Sequence, residues 1–222
     1  FSSRVLFAAN DHFDWSVLGS PGDIFSAMAI TSVGSRTATI SHQPGSAPFM
    51  TINKECTSAG CNLNANFTSG DFTVRTNLLL AGVNGGILDI LFVDDVFGAG
   101  ANIQAEAFGS FTAKIECFDS GDVSLGSFTP VGETDIGAGP DFPRVGDGTA
   151  LFIGAKNDTK TVRRVRFSLT TIADPTGDVR ELAINQLDFS VDAGSTGGVG
   201  NVCDNCMTDF GPVKMEAGNS MI

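Results

Sequence analysis

Aspartate is the residue type in this sequence whose number and placement most suggest a chemical role. The chain has 19 Asp and six Glu. Hard cations such as Ca²⁺ bind several oxygen ligands from loop carboxylates, amides and carbonyls. Asp also stabilises turns by accepting hydrogen bonds from nearby backbone amides, which explains loop enrichment without any ligand. A structural calcium ion is therefore a hypothesis, and its candidate ligands are Asp14, Asp23, Asp94, Asp95 and Asn185.

Five cysteines allow either metal binding or disulfide formation. Cys56, Cys61, Cys203 and Cys206 lie in Gly-, Ser- and Asn-rich segments that are typical of loops. Four thiolates can hold a zinc ion. Two disulfides, local or crossed, are favoured, because the composition is typical of an extracellular protein and zinc knuckles usually have basic surroundings. Cys117 falls within a strand pattern, and we predict that it is a buried core thiol.

Side chains that would support catalysis are few. The histidines, His12 and His42, are predicted to lie on the surface, and no nucleophile-elbow, zinc-protease or phosphate-binding motif is found in the sequence. A glycosidase needs two carboxylates about 5–9.5 Å apart. The predicted strand register separates Glu106 from Glu116 by about 13 Å, at ~3.3 Å per residue. We therefore predict that the protein is not an enzyme.

Composition and charge exclude several classes of partner. The 222 residues include 25 acidic and 13 basic side chains, for a net charge of −12. Such a surface repels nucleic acids and anionic membranes. The chain is 42% hydrophobic and 17% charged, which is apolar enough to form a core and argues against disorder. The apolar stretches fall far short of the ~18 residues of a membrane-spanning helix, so no membrane span is predicted.

The elements that must position these side chains are predicted to be β-strands. No segment has a convincing 3.6-residue periodicity, and short apolar alternations are separated by Gly, Asp, Asn and Pro. This pattern is typical of a sandwich or jelly roll. We predict an all-β, antiparallel, jelly-roll-like β-sandwich over residues 1–192. Its strands include Arg4–Ala8, Ile24–Ile30, Arg36–Ser41, Phe72–Leu80, Ile87–Val93, Ala150–Ile153, Val162–Thr170 and Leu182–Val191.

Two hairpins are predicted down to their register. Residues 102–107 and 111–117 alternate in polarity, and a three-residue loop between them brings their apolar faces together. A second three-residue loop, 119–121, ends in a glycine that suits a left-handed conformation, and it places Val123 opposite Cys117. The predicted buried face consists of Ile103, Ala105, Ala107, Phe111, Ala113, Ile115, Cys117, Val123 and Leu125.

The last predicted strand changes phase at Asn185-Gln186. Leu182 and Ile184 share one phase of the alternation, whereas Leu187 and Phe189 share the other. An extra residue in one strand produces such a change, so we predict a β-bulge there. Bulges often border functional sites.

A Gly-rich linker follows the sandwich, and residues 193–222 form a separate tail with the Cys203–Cys206 pair and a short alternating strand. Val213 and Met215 lie on one side of that strand. We predict that they fill pockets at the open sheet edge of a neighbouring copy, by strand addition. Repeated head to tail, such a contact gives a filament.

Two arginines and the single tryptophan each allow two interpretations. Arg164 and Arg166 share the outer face of a predicted strand, and they either bind an acidic partner or protect an edge strand from aggregation. Trp15 is either a platform for sugar stacking or a buried aromatic. Burial is favoured, because sugar platforms usually expose several aromatics and the chain has no Tyr.

The segment Val96–Phe128 resembles a recurrent block in bacterial surface proteins that carry exosortase-type (PEP-CTERM) sorting tails. Other matching pieces are Phe13–Gly19, Ala150–Gly154 and Leu182–Leu187, in the expected order. The resemblance implies an exported, jelly-roll-like sandwich whose relatives are largely uncharacterised surface or matrix proteins. It covers most of residues 13–190. No PEP motif, hydrophobic helix or basic stop follows Asp192, so this chain departs from the pattern there.

These observations predict a non-catalytic structural protein of an extracellular surface or matrix. Its expected partners are other copies of itself, which assemble into a fibre by strand exchange. The alternative is a carbohydrate-binding, adhesive module that binds glycans and contains the structural calcium ion. Secretion to the cell exterior or cell surface is expected in both cases.

Overall fold

The structure is a computed structural model. It describes residues 1–20, 23–42, 50–55, 66–67, 72, 76–81, 87–105, 109–134, 150–172 and 182–192. A four-residue helix, α1 (Arg4–Phe7), and a 3₁₀ helix (Trp15–Leu18) accompany the strands. The strands in chain order are β1 (Asp11–Phe13), β2 (Ile24–Phe25), β3 (Ala27–Thr31), β4 (Thr37–His42), β5 (Met50–Glu55), β6 (Asn66–Phe67), β7 (Asn77–Ala81), β8 (Leu88–Val96), β9 (Gly98–Ala105), β10 (Gly109–Phe118), β11 (Ser124–Phe128), β12 (Val131–Thr134), β13 (Leu151–Lys156), β14 (Val162–Ile172), β15 (Leu182–Ile184) and β16 (Leu187–Ser190).

The described strands form two sheets. The nine-stranded sheet has the order β1-β16-β9-β15-β7-β5-β2, with β13 also paired to β9 and β6 to β5. The seven-stranded sheet has the order β11-β10-β14-β8-β4-β3, with β12 also paired to β10. The pairing is antiparallel apart from the short β5–β6 contact. The predicted all-β, antiparallel sandwich is therefore confirmed.

The core lies between the two sheets. Alternate side chains of each strand point inwards, as the period of two dictates. Ile40, Ile90 and Phe167 come from the seven-stranded sheet, and Ile103 and Phe189 from the nine-stranded sheet; all are fully buried in one cluster. Burial of a large apolar side chain contributes about 1.5–3 kcal/mol, so this cluster is the main source of stability.

The predicted strand Arg4–Ala8 is wrong, because residues 4–7 form α1. Only Phe7 of this helix is buried, whereas Val5 and Leu6 are exposed. A strand packed on the core would bury every second residue, whereas here a single side chain of the four is buried. The predicted strand Ile24–Ile30 is also divided, because the chain passes from one sheet to the other at Ser26, between β2 and β3.

The first predicted hairpin is wrong in its pairing. Strand β9 lies in the nine-stranded sheet and β10 in the seven-stranded sheet, so the two strands face each other across the core. Ile103, Ala105, Phe111 and Ala113 are nonetheless buried as predicted. Alternation shows which side chains point inwards, but a hairpin and a crossover between facing sheets produce the same alternation.

The second predicted hairpin forms, with a different register. Cys117 pairs with Gly126 and not with Val123, which is 61% exposed. The carboxylate of Asp119 accepts hydrogen bonds from the N–H groups of Gly121 and Val123, and this lengthens the loop. Asp122 takes the left-handed conformation (φ 60°) that was predicted for a glycine. Cys117 is fully buried in the core, as predicted.

Helices in the described parts of the chain are too short to cross a bilayer. The four cysteines assigned to disulfides, Cys56, Cys61, Cys203 and Cys206, lie outside the described residues. The same holds for the tail, residues 193–222, and for its strand residues Val213 and Met215. These predictions, and the division into residues 1–192 and 193–222, stay predictions.

Candidate functional site

The nine-stranded sheet is irregular where β15 ends and β16 begins. Both strands pair with β9, and Ile184 lies opposite Ile103, whereas Asp188 lies opposite Gly100. Four residue steps from β15 to β16 therefore correspond to three steps along β9. The extra residue forms the predicted bulge at Asn185–Gln186. On the side away from β9, β15 pairs with β7, whereas β16 pairs with β1. The N-terminal segment, which contains β1, therefore docks on the sheet beside the bulge.

Asn185 is fixed at this bulge by hydrogen bonds within the chain. Its side-chain oxygen accepts from the backbone N–H of Asn102 and from the Arg4 guanidinium, both at 2.9 Å. Its side-chain amide donates to the Asn102 side chain at 3.3 Å. Its backbone carbonyl accepts from the Trp15 indole N–H at 2.6 Å. Asn185, one of the predicted calcium ligands, thus connects the sheet to both short helices.

Asp188 and Arg4 form an ion pair beside the bulge. Arg4 Nη1 lies 2.9 Å from Asp188 Oδ2, and the Gln186 amide donates to Asp188 Oδ1 at 2.7 Å. Burial raises the pKa of the Asp188 carboxyl above its ordinary value, and the charges of Arg4 and His12 and the Gln186 bond offset this only in part. The pair holds α1 against the sheet.

An open cleft of about 390 Å³ lies over this ion pair. It is lined by Arg4, Val5, Ala8, Ala9, Asn10, Asp11, His12, Gln186 and Asp188. His12 is half-buried in its wall, so the prediction that it is a plain surface residue is only partly right. The cleft brings together the bulge, the Arg4 guanidinium and the buried carboxylates of Asp11 and Asp188. Among the described residues, it is the candidate functional site.

Asp11, at the other side of the cleft, stabilises a turn. Its Oδ2 accepts from the Ser32 hydroxyl at 2.6 Å, and its Oδ1 accepts from the backbone N–H groups of Gly34 and His12. A side chain at position 34 would collide with this carboxylate, because a Cβ there would lie 2.5 Å from Asp11 Oδ2. Asp11 therefore joins β1 to the turn that follows β3.

The pairing of Arg4 with Asp188 was not predicted from the sequence. They are 184 positions apart, and a pair so distant in the chain has no local pattern. One signal was present: Arg4 is the only Lys or Arg among the first 35 residues. A lone cation in an acidic segment of an acidic chain is expected to bind a carboxylate.

The remaining predicted calcium ligands are dispersed over three places. Asp14 caps the 3₁₀ helix by accepting from the backbone N–H of Ser16, and Asp23 accepts from the backbone N–H of Ser20. Such local bonds are the usual role of loop aspartates. Asp94 and Asp95 follow each other at the end of β8 and pair with different arginines.

Within the described ranges, no three His, Cys, Asp or Glu side chains come together in a group that could hold a metal ion. The structure does not bring Asp14, Asp23, Asp94, Asp95 and Asn185 to one point. The calcium hypothesis therefore stays a prediction without a site among these residues.

Arg164 and Arg166 bind an aspartate of their own chain. Arg166 Nε lies 2.7 Å from Asp89 Oδ1, and Arg164 Nε lies 3.4 Å from Asp89 Oδ2. Arg164 also pairs with Asp122, and the Arg166 guanidinium lies over the Phe118 ring at 4.3 Å. Strand β14 is interior to its sheet, between β10 and β8. The hypothesis that these arginines protect an edge strand is wrong.

Trp15 is fully buried, so the hypothesis of a sugar-stacking platform at this residue is wrong. The large apolar side chains that are exposed among the described residues are all Val, Leu or Ile. The carbohydrate-binding alternative predicts a cluster of exposed aromatics or of exposed Asn, Gln and Asp on one surface, and the described surface lacks the aromatic cluster. That alternative stays a prediction for the rest of the chain.

Comparison with known proteins does not assign this chain to a family. No family model matches this chain, and no curated protein matches it. Among solved structures, the chain is similar to a DUF4465 family protein from Bacteroides caccae, with 8% sequence identity and a TM-score of 0.42. The similarity covers 82% of this chain and 100% of that protein.

Proposed function

We propose that this chain is a non-catalytic structural component of an extracellular surface or matrix, and that its copies associate by strand exchange. One observation carries the non-catalytic part. The three buried carboxylates of the described residues, Asp11, Asp89 and Asp188, each have both oxygens within hydrogen-bond or ion-pair distance of groups of their own chain.

A catalytic carboxylate has to present an oxygen to the substrate or to a water molecule. In Asp188 one oxygen faces Arg4 and the other faces Gln186. In Asp89 the two oxygens face two different arginines. These carboxylates hold distant segments of the chain together, and this supports a structural role for them.

Strand exchange requires a donor strand and an open sheet edge. The proposed donor is the segment 213–216, with Val213 and Met215 facing the acceptor. The described seven-stranded sheet ends in β3 on one side and in β11 and β12 on the other, and so offers two edges. Main-chain hydrogen bonds along such an edge give affinity, and alternate side chains give specificity.

The extracellular setting is supported by the resemblance to exosortase-associated surface proteins and by the proposed disulfides of Cys56, Cys61, Cys203 and Cys206. Because each copy has a net charge of −12, copies repel one another except where both present an uncharged surface. Association is therefore confined to particular edges.

Light scattering coupled to size-exclusion chromatography tests the proposal. The full chain is expected to form multimers, and a variant lacking residues 194–222 is expected to lose the larger ones. Val213→Asp with Met215→Asp should act like the deletion, whereas Lys214→Gln with Glu216→Gln, on the other side of the same strand, should not. Multimers of unchanged size in the truncated chain, or turnover of a substrate by the purified protein, would contradict it.

A further inference from the structure

Among the described strands, β3 is an edge of its sheet, and it has none of the sequence features that normally prevent two sheet edges from pairing. Its sequence, Ala27–Thr31, contains no charge and no proline, and its pairing with β4 runs from Ala27–Ser41 to Thr31–Thr37 without a register shift. Charged residues, prolines and bulges are the usual protection of exposed edges. The opposite edge of the same sheet has such a feature, because β11 pairs with β10 through a bulge beside Cys117.

The hydrogen-bonding groups of β3 that point away from β4 can be assigned to particular residues. The backbone N–H of Ser32 donates to the carbonyl of Arg36 at 2.7 Å, which makes 32 and 36 a hydrogen-bonded pair. Such pairs alternate along an antiparallel ladder. The N–H and C=O groups of Ala27, Ala29 and Thr31 therefore point away from β4, and no strand of the described residues lies on that side. All three residues are exposed.

The face beside this edge is also uncharged. The outward positions of β3 and β4 are Ala27, Ala29, Thr31, Thr37, Thr39 and Ser41. The chain has a net charge of −12, but β3 and β4 present no charged side chain on this face. A second copy can therefore approach the β3 edge without repulsion between charges on these two strands.

The edge is complementary to itself. If two β3 strands run antiparallel around a two-fold axis at Ala29, each Ala29 faces its mate and each Ala27 faces a Thr31. Every residue in these three pairs has its N–H and C=O pointing at the partner strand, which gives about six hydrogen bonds. The same register places Met28, which is half-buried at the margin of the core, beside the partner's Ile30.

We infer that β3 is a homotypic interface, at which β3 of a second copy pairs antiparallel around Ala29 and joins two seven-stranded sheets into one. Closed two-fold contacts of this kind are the commonest in protein oligomers. The inference rests on the self-association part of the proposed function but not on the tail. A two-fold contact here leaves the β11–β12 edge available for strand exchange.

Cross-linking in the full chain tests the register. Opposite residues of a hydrogen-bonded pair have Cα atoms about 5.5 Å apart, within the ~4.4–6.8 Å range of disulfides. Ala29→Cys is therefore expected to give a 29–29 disulfide under mild oxidation, identified by mass spectrometry of the linked peptide. Ala27→Cys is the matched control, because the two copies of position 27 would be separated by about 13 Å and should not cross-link.

A charge variant tests the same contact without a cysteine. Ala29→Lys places two cations across the axis and should raise the dimer dissociation constant at least tenfold. Thr39→Lys, on the same face of the next strand, should change it less than threefold. Retained Trp15 fluorescence shows that each variant is folded.

The outcomes separate this inference from the proposed function. A 29–29 disulfide without larger assemblies supports the interface and contradicts the fibre. Larger assemblies without a 29–29 disulfide, or with unchanged affinity in Ala29→Lys, overturn the interface and leave the proposed function standing. Cross-linking of position 29 to the tail in place of its mate also overturns it.

Discussion

Trp15 donates its indole N–H to the backbone carbonyl of Asn185 at 2.6 Å. This bond ties the only tryptophan of the chain to the bulge between β15 and β16. Because Trp15 is fully buried, its fluorescence reports whether the N-terminal segment is docked on the sheet. A change in Trp15 fluorescence therefore follows the unfolding of the chain.

Asn185→Ala should lower the free energy of unfolding by about 2 kcal/mol, because the backbone N–H of Asn102 loses its side-chain acceptor and the Arg4 guanidinium loses one of its acceptors. Urea titration followed by Trp15 fluorescence measures this. Lys160→Ala, an exposed position, is the control and should change stability by no more than about 0.5 kcal/mol. Equal stability of the two variants would show that the bulge is not held by Asn185.

Asp188→Asn should change how stability depends on pH. The pKa of Asp188 is raised in the folded state, so protonation favours folding. Relative to Asp188→Asn, the protein should gain stability below the unfolded-state pKa of about 3.8 and lose that gain as pH rises through the raised pKa. Urea titrations between pH 3 and pH 8 give the difference. If the stability of the protein relative to Asp188→Asn instead grows with pH, the charge of Arg4 outweighs burial and lowers the pKa of Asp188.

Asp89→Ala should destabilise the protein by about 2 kcal/mol, because it leaves Arg164 and Arg166 side by side, poorly exposed and without their shared carboxylate. Asp94→Ala is the matched control. Asp94 is 62% exposed and pairs with Arg36 at the surface, so its loss should cost less than about 1 kcal/mol. If both variants lose the same stability, Asp89 has no special role.

The calcium hypothesis predicts that Ca²⁺ raises the melting temperature and that EGTA reverses the rise. Asp94→Asn with Asp95→Asn should remove the effect if these residues are ligands. Mg²⁺ at the same concentration controls for ionic strength. A melting temperature that is unchanged by chelation contradicts the hypothesis.

Alternation in the sequence predicted many of the core residues, although not the exposure of Val123, and it did not predict which strands pair. Ile103 and Phe111 are both buried, as predicted, although they lie in facing sheets and not in one hairpin. The bulge at Asn185 was predictable because an extra residue shifts the phase of a local pattern. The Arg4–Asp188 pair was not, since its partners meet only in the tertiary fold.

Loop chemistry explains the other differences. Asp119 accepts two backbone hydrogen bonds and sets a loop that moves the β10–β11 register, and alternation contains no information about this. Asp14 and Asp23 also bind nearby backbone amides. The large number of Asp residues, which suggested metal ligands, is thus explained at these positions by turns and caps.

Electron microscopy of the purified full-length protein tests the central claim most directly. If the chain is a self-associating structural component, negatively stained samples should contain fibres or other repeating assemblies, and these should shorten or disappear in Ala29→Lys and in the chain without residues 194–222. Dispersed single particles of uniform size at all protein concentrations would contradict the claim.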